Sequence, residues 1–125
     1  MDAAREAKAV TIVEDDESMR SALQGLMRAA GLRARAFSSA EEFLDSGEIA
    51  DAACLVADIR LPGISGLDLQ RLLAARKQTI PIIFITAHGD DTIRAQAMQA
   101  GAAGFLSKPF DDGALLDGIR AATER

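Results

Sequence analysis

Residues 9–17 read Ala9-Val10-Thr11-Ile12-Val13-Glu14-Asp15-Asp16-Glu17, a short apolar run that passes directly into four carboxylates. A run of this length without polar alternation suits a strand covered on both faces, as strands of a parallel sheet are. Four like charges at its end repel one another, so the chain needs something there to offset them.

Similar apolar runs recur at 32–37, 52–57, 80–86 and 102–106, separated by longer segments of helical spacing. Strands alternating with helices predict an α/β chain, a doubly wound five-stranded parallel sheet with five helices. In the first helix Met19, Ala22, Leu23, Leu26, Met27 and Ala30 make one stripe toward the sheet, and Gly31 is placed to stop it. Ser39 and Glu42 read as a capping box for the second helix, Asp90 and Asp111 as N-caps of the fourth and fifth, and Gly101 as the stop of the fourth. The third helix follows the turn Pro62-Gly63-Ile64-Ser65-Gly66 and carries Leu67, Leu69, Leu72 and Leu73. All of these positions read as packing and capping.

The chain has 125 residues, 49% of them hydrophobic, enough for one domain over 1–125 with a proper core. No linker, repeat or low-complexity stretch suggests a second domain. The formal charge of -5 argues against direct binding to nucleic acid or an anionic membrane, both of which need a basic face. Cys54, the single cysteine, lies among apolar residues and reads as a buried thiol, in keeping with a reducing cytoplasm. No signal core or membrane span is visible, so a cytoplasmic protein is expected.

In an open parallel sheet, ligands bind at the carboxyl ends of the strands. Those ends collect Glu14 and Asp15, then Asp58, then Thr86 with His88 just beyond, then Ser107 and Lys108 followed by Pro109. Clustered carboxylates resist ionising unless a cation joins them, and a small set of hard oxygen ligands with room for water and phosphate suits Mg²⁺, for which Mn²⁺ can substitute. With a metal and the Lys108 ammonium balancing the acids, the Asp58 carboxylate can attack phosphorus while Lys108 and the Thr86 hydroxyl contact the transferred group. The expected chemistry is acyl phosphate formation. Asp16 and Glu17 read instead as acids favouring a helix N-terminus. His88 reads as a loop residue, because a zinc site needs partners that the chain lacks. Neither a dinucleotide fingerprint nor a P-loop is present.

The stretches Val13-Glu14-Asp15, Asp58-Ile59-Arg60-Leu61-Pro62-Gly63-Ile64-Ser65-Gly66, Ile85-Thr86-Ala87-His88-Gly89-Asp90 and Phe105-Leu106-Ser107-Lys108-Pro109-Phe110 resemble the receiver domain of bacterial two-component response regulators. The likeness covers essentially the whole chain and is greatest to the FixJ-like subgroup. It implies the flavodoxin-like (βα)5 fold with strand order 2-1-3-4-5 and a phosphorylation-dependent switch. It makes Asp58 the phosphoacceptor, Asp15 a direct magnesium ligand, Glu14 a ligand acting through water, and the backbone carbonyl of Arg60 a further ligand. Lys108 would pair with the phosphoryl group, Pro109 would follow a cis peptide, and Thr86 and Phe105 would form the switch pair.

Two positions depart from the family pattern: Glu14 stands where many members have Asp, and Ala87 where the subgroup has glycine. Ala87 and His88 would tune the lifetime of the phosphorylated state. The implied partners are a sensor histidine kinase and, on phosphorylation, a second copy of the chain through helix 4, strand 5 and helix 5. DNA would be reached only through an output domain absent from this chain, and the membrane not at all. The chain would be no enzyme beyond self-directed phosphotransfer and autodephosphorylation.

Alternatives stay open. One is a stand-alone receiver acting by protein contact. Another is a magnesium-dependent aspartyl-phosphate phosphatase, which would need an acid where Arg60 stands. A flavin module is disfavoured, since the chain has no Trp or Tyr to stack the ring.

Overall fold

The computed structural model describes residues 8–87 and 90–124. His88, expected to tune the site, lies outside the described residues. The strands are β1 (Ala9–Val13), β2 (Ala34–Phe37), β3 (Ala52–Asp58), β4 (Ile82–Thr86) and β5 (Gly104–Ser107). They pair in parallel in the order β2-β1-β3-β4-β5. The helices α1 (Glu17–Ala29), α2 (Ala40–Asp45), α3 (Gly66–Ala75), α4 (Asp91–Gln99) and α5 (Asp112–Thr123) alternate with them. A 3₁₀ turn at Ile49–Asp51, not expected from the sequence, leads into β3.

Side chains alternate across a strand, and this divides the apolar residues into two layers. Val13, Leu55, Phe84 and Phe105 pack on one face with Phe43 of α2, Leu69 and Leu73 of α3 and Ala97 of α4. Ile12, Cys54, Val56, Ile83 and Ile85 pack on the other with Leu23 and Met27 of α1 and Leu115 and Ile119 of α5. Cover on both faces is why β1, β3 and β4 are apolar along most of their length. In α1 the stripe holds for Leu23, Leu26 and Met27, but Ala22 falls at its edge and is exposed.

Helix starts follow the expected caps. The side chains of Asp90 and Asp111 accept from the N–H groups of Ile93 and Ala114 at 2.8 and 2.9 Å. Asp16 caps α1 through the Met19 N–H, and Ser65 caps α3 through the Asp68 N–H. Ser39 Oγ accepts from the Glu42 N–H, but the Glu42 carboxylate reaches back to the N–H of Ser38 at 2.7 Å rather than that of Ser39. The capping box is therefore displaced by one residue.

Helix ends explain where the strand boundaries differ from expectation. After α1 the N–H of Gly31 (φ 76°) donates to Arg28 O and that of Leu32 to Met27 O. This 5→2 and 6→1 pair of bonds is a Schellman motif. The same pair closes α4 at Gly101 and Ala102. Leu32 and Ala102, read from the sequence as strand residues, thus belong to helix stops, and β2 and β5 each begin two residues later than expected. At the end of α3 the left-handed position is held by Lys77 (φ 58°), a residue with a Cβ.

Candidate functional site

The alternation that sorts the core also sorts the strand ends. Asp58 continues the face of Cys54 and Val56, Glu14 that of Val10 and Ile12, and Lys108 that of Leu106, so three charged residues from three strands meet over the α1/α5 layer. Thr86 continues Phe84 and belongs to the opposite layer, as does Phe105.

Lys108 Nζ donates to Glu14 Oε1 and to Asp58 Oδ2, both at 2.9 Å. The second oxygen of Glu14 accepts the Asp16 N–H at 3.1 Å, and Asp58 Oδ1 accepts the Arg60 N–H at 3.0 Å. Glu14 is 1% exposed and Asp58 is also buried. Asp15 is exposed, and among the described residues no side chain pairs with its carboxylate. Burial raises the Glu14 pKa, with the Asp58 charge adding to the rise, and the hydrogen bonds from Lys108 and Asp16 only partly counter it. For Lys108 burial works to lower the pKa, but the hydrogen bonds and charges of Asp58 and Glu14 outweigh it, and the net shift is upward. The lysine therefore holds its proton firmly.

One carboxylate oxygen each of Glu14, Asp15 and Asp58 lies within 4.8 Å of the others. An all-oxygen set of this size fits a hard dication. Arg60 touches the site through its main-chain N–H; the expected carbonyl contact is with a metal and has no protein counterpart.

The segments after the strands are held in place. The Lys108 N–H donates to Thr86 O at 2.8 Å, and the Lys108–Pro109 peptide is cis. After β3, the Gly66 N–H donates to Ile59 O at 2.9 Å, and a Cβ on Gly66 would run into the Asp58 carbonyl oxygen and lie 2.9 Å from Ile59 Cα. Only glycine allows α3 to start this close to Asp58. Thr86 is fully buried. Phe105 is buried too, its ring centroid 6.5 Å from that of Phe84, with the Arg94 guanidinium 5.7 Å above it. Ala87 is exposed at the end of β4.

Two residues that sequence reasoning passed over also shape the site. Arg20 donates to the carbonyl oxygens of Glu14 and Asp15. Glu41 of α2 accepts the Ile64 N–H at 2.9 Å and so holds the loop between Asp58 and α3. Arg20 bonds main chain five and six residues back and Glu41 main chain 23 residues on, and such contacts leave no mark on composition or period.

Residues 10–120 match the family described as response regulator receiver domain. The chain belongs to this family. The receiver is 55% identical over 116 residues to nodulation protein W of Bradyrhizobium diazoefficiens, covering 93% of this chain and 51% of that protein. It is 42% identical over 120 residues to the transcriptional regulatory protein FixJ of Azorhizobium caulinodans, covering 96% and 57%. The crystal structure of FixJ-N resembles it with a TM-score of 0.85 at 38% identity, covering 94% of each chain. The receiver is thus of the FixJ-like subgroup, and it spans about half the length of the curated relatives it matches. Among the described residues no helix is long and apolar enough to cross a membrane.

Proposed function

We propose that this receiver is a phosphorylation-operated switch in which Asp58 accepts a phosphoryl group from the phosphohistidine of a sensor histidine kinase. The observation that carries this reading is the Lys108 ammonium, 2.9 Å from both Glu14 and Asp58, beside a third acid from the same sheet edge.

Mg²⁺, or Mn²⁺ in its place, would be held by Asp15 and Asp58, by Glu14 through water and by the Arg60 carbonyl, and would supply positive charge to the phosphoryl oxygens. In the transfer, an Asp58 carboxylate oxygen forms the new O–P bond as the N–P bond of the donor breaks and the imidazole leaves with the bonding electrons. The bond to Arg60 N–H orients Asp58 for that attack. Lys108, kept charged by its acidic neighbours, then turns its ammonium to the phosphoryl oxygens. The Thr86 hydroxyl donates to one of them, and the neighbouring Phe105 registers the change in the α4, β5 and α5 surface.

The readout is binding, a homodimer formed on phosphorylation, and any contact with DNA belongs to an output domain beyond the receiver. Ala87 and His88 set how readily water reaches the acyl phosphate, and autodephosphorylation is the only hydrolysis. The cytoplasm, where kinase and donor meet, is the expected compartment.

Intact mass after incubation with acetyl phosphate and Mg²⁺ tests the assignment. The wild type should gain one phosphoryl group and Asp58→Asn none; equal labelling of the variant would move the acceptor elsewhere. Sustained turnover of p-nitrophenyl phosphate would favour a phosphatase instead.

A further inference from the structure

Arg20 lies in the second turn of α1, behind a run of four carboxylates, yet its hydrogen bonds go to neutral oxygens. Its Nη1 donates to Glu14 O at 2.9 Å and to Asp15 O at 3.4 Å. Three of the four acids are otherwise committed. Glu14 is bonded to Lys108 and to the Asp16 N–H, Asp16 caps α1, and Asp15 belongs to the oxygen cluster with Asp58.

The two carbonyls sit where β1 leaves the sheet. The Glu14 N–H makes a last bond to Phe37 O, and beyond it the chain turns into α1 without strand partners. Main-chain acceptors at such an exit need a donor, and each peptide plane left unheld can rotate. Rotation of these two planes would swing the Glu14 and Asp15 side chains apart from Asp58.

We propose that Arg20 is a positioning residue for the divalent cation. It fastens two consecutive peptide units so that the Glu14 and Asp15 oxygens stay within reach of the Asp58 carboxylate. This rests on the metal site proposed above. Two effects of removing Arg20 oppose each other. Losing a positive charge beside the acids would by itself tighten a cation, whereas losing the fastening would weaken it.

Mg²⁺ titration by calorimetry on the unphosphorylated protein separates them. Outer residues that orient metal ligands commonly contribute about 10–100-fold in affinity. Arg20→Ala is expected to weaken Mg²⁺ by about tenfold. Arg20→Lys, which keeps the charge but ends one atom short of the Arg20 Nη1 that makes both bonds, should also weaken it, by less. In the metal-free protein, amide exchange at Asp15 and Asp16 should quicken in Arg20→Ala. Tighter or unchanged Mg²⁺ binding in Arg20→Ala, or unaltered exchange there, would overturn the proposal. If Arg20→Ala does not fold, Arg20→Lys decides alone, and wild-type affinity in it counts against the fastening. A wild type that binds no Mg²⁺ would instead remove the metal reading itself, whatever the variants do.

Discussion

Replacing Lys108 by alanine removes a cation that touches two buried acids. In the folded wild type its ammonium is 2.9 Å from each carboxylate, and its side chain is only 16% exposed. Breaking a buried pair by deleting one partner costs about 3–5 kcal/mol, and with the lysine partly open to solvent we take the lower end, about 3 kcal/mol. For a domain of this size that corresponds to a fall in melting temperature of roughly 10 °C.

The cost depends on pH. The Glu14 pKa is raised in the folded protein, so between its unfolded and folded values the folded state binds more protons, and stability rises as pH falls through that window. In Lys108→Ala the bond that holds this pKa down is gone, while burial and the Asp58 charge remain, so the window widens upward. Urea unfolding without metal should therefore show a deficit of about 3 kcal/mol at pH 8 that becomes smaller as the pH is lowered to 5. A deficit that stays constant between the two pH values would refute the idea that Lys108 offsets buried carboxylate charge.

Gly66→Ala drives a methyl group into the Asp58 carbonyl, so α3 must shift; a loss of about 1–3 kcal/mol in denaturant unfolding is expected, together with slower acetyl phosphate labelling, and unchanged labelling would mean that the site tolerates the shift. Lys77→Gly relieves a left-handed residue at a helix stop and should raise stability by about 1 kcal/mol; a loss in thermal unfolding would show that the lysine side chain contributes more than the strain costs. Burial pushes the Cys54 thiol up to about 12 from 9.0. Above the lower value the unfolded thiol ionises while the folded one does not, so stability falls as pH rises. By pH 10.5 the wild type should have lost about 2 kcal/mol that Cys54→Ala does not lose, and parallel urea midpoints for the two proteins from pH 7 to 10.5 would count against this.

All five strands were legible, β1, β3 and β4 because strands covered on both faces are apolar along most of their length, β2 and β5 less plainly, since these edge strands also carry the exposed Arg35 and Ser107. Their starts were less so. Leu32 and Ala102 are apolar because they end helices, as residues following the left-handed glycines Gly31 and Gly101, and hydropathy cannot tell a helix stop from a strand start. Asp16 could be read as a helix N-terminal acid from its position, whereas the displaced capping bond from Glu42 to Ser38 depends on how the chain leaves β2.

At the candidate site the residue types and their places at strand ends were open to reading along the chain. Carboxylates after β1 and β3 and a lysine after β5 already imply a charged sheet edge, because strand periodicity decides which face each residue takes. What only the folded sheet decided is which charges meet. Lys108 reaches Glu14 and Asp58 over the top of β4 because the strands order as β2-β1-β3-β4-β5. Arg20 takes main-chain oxygens in preference to carboxylates because the turn after Val13 leaves those oxygens without strand partners. Local sequence sets the identity and face of a side chain, but contacts between segments far apart in the chain follow from strand order and from the backbone groups that each turn leaves unpaired.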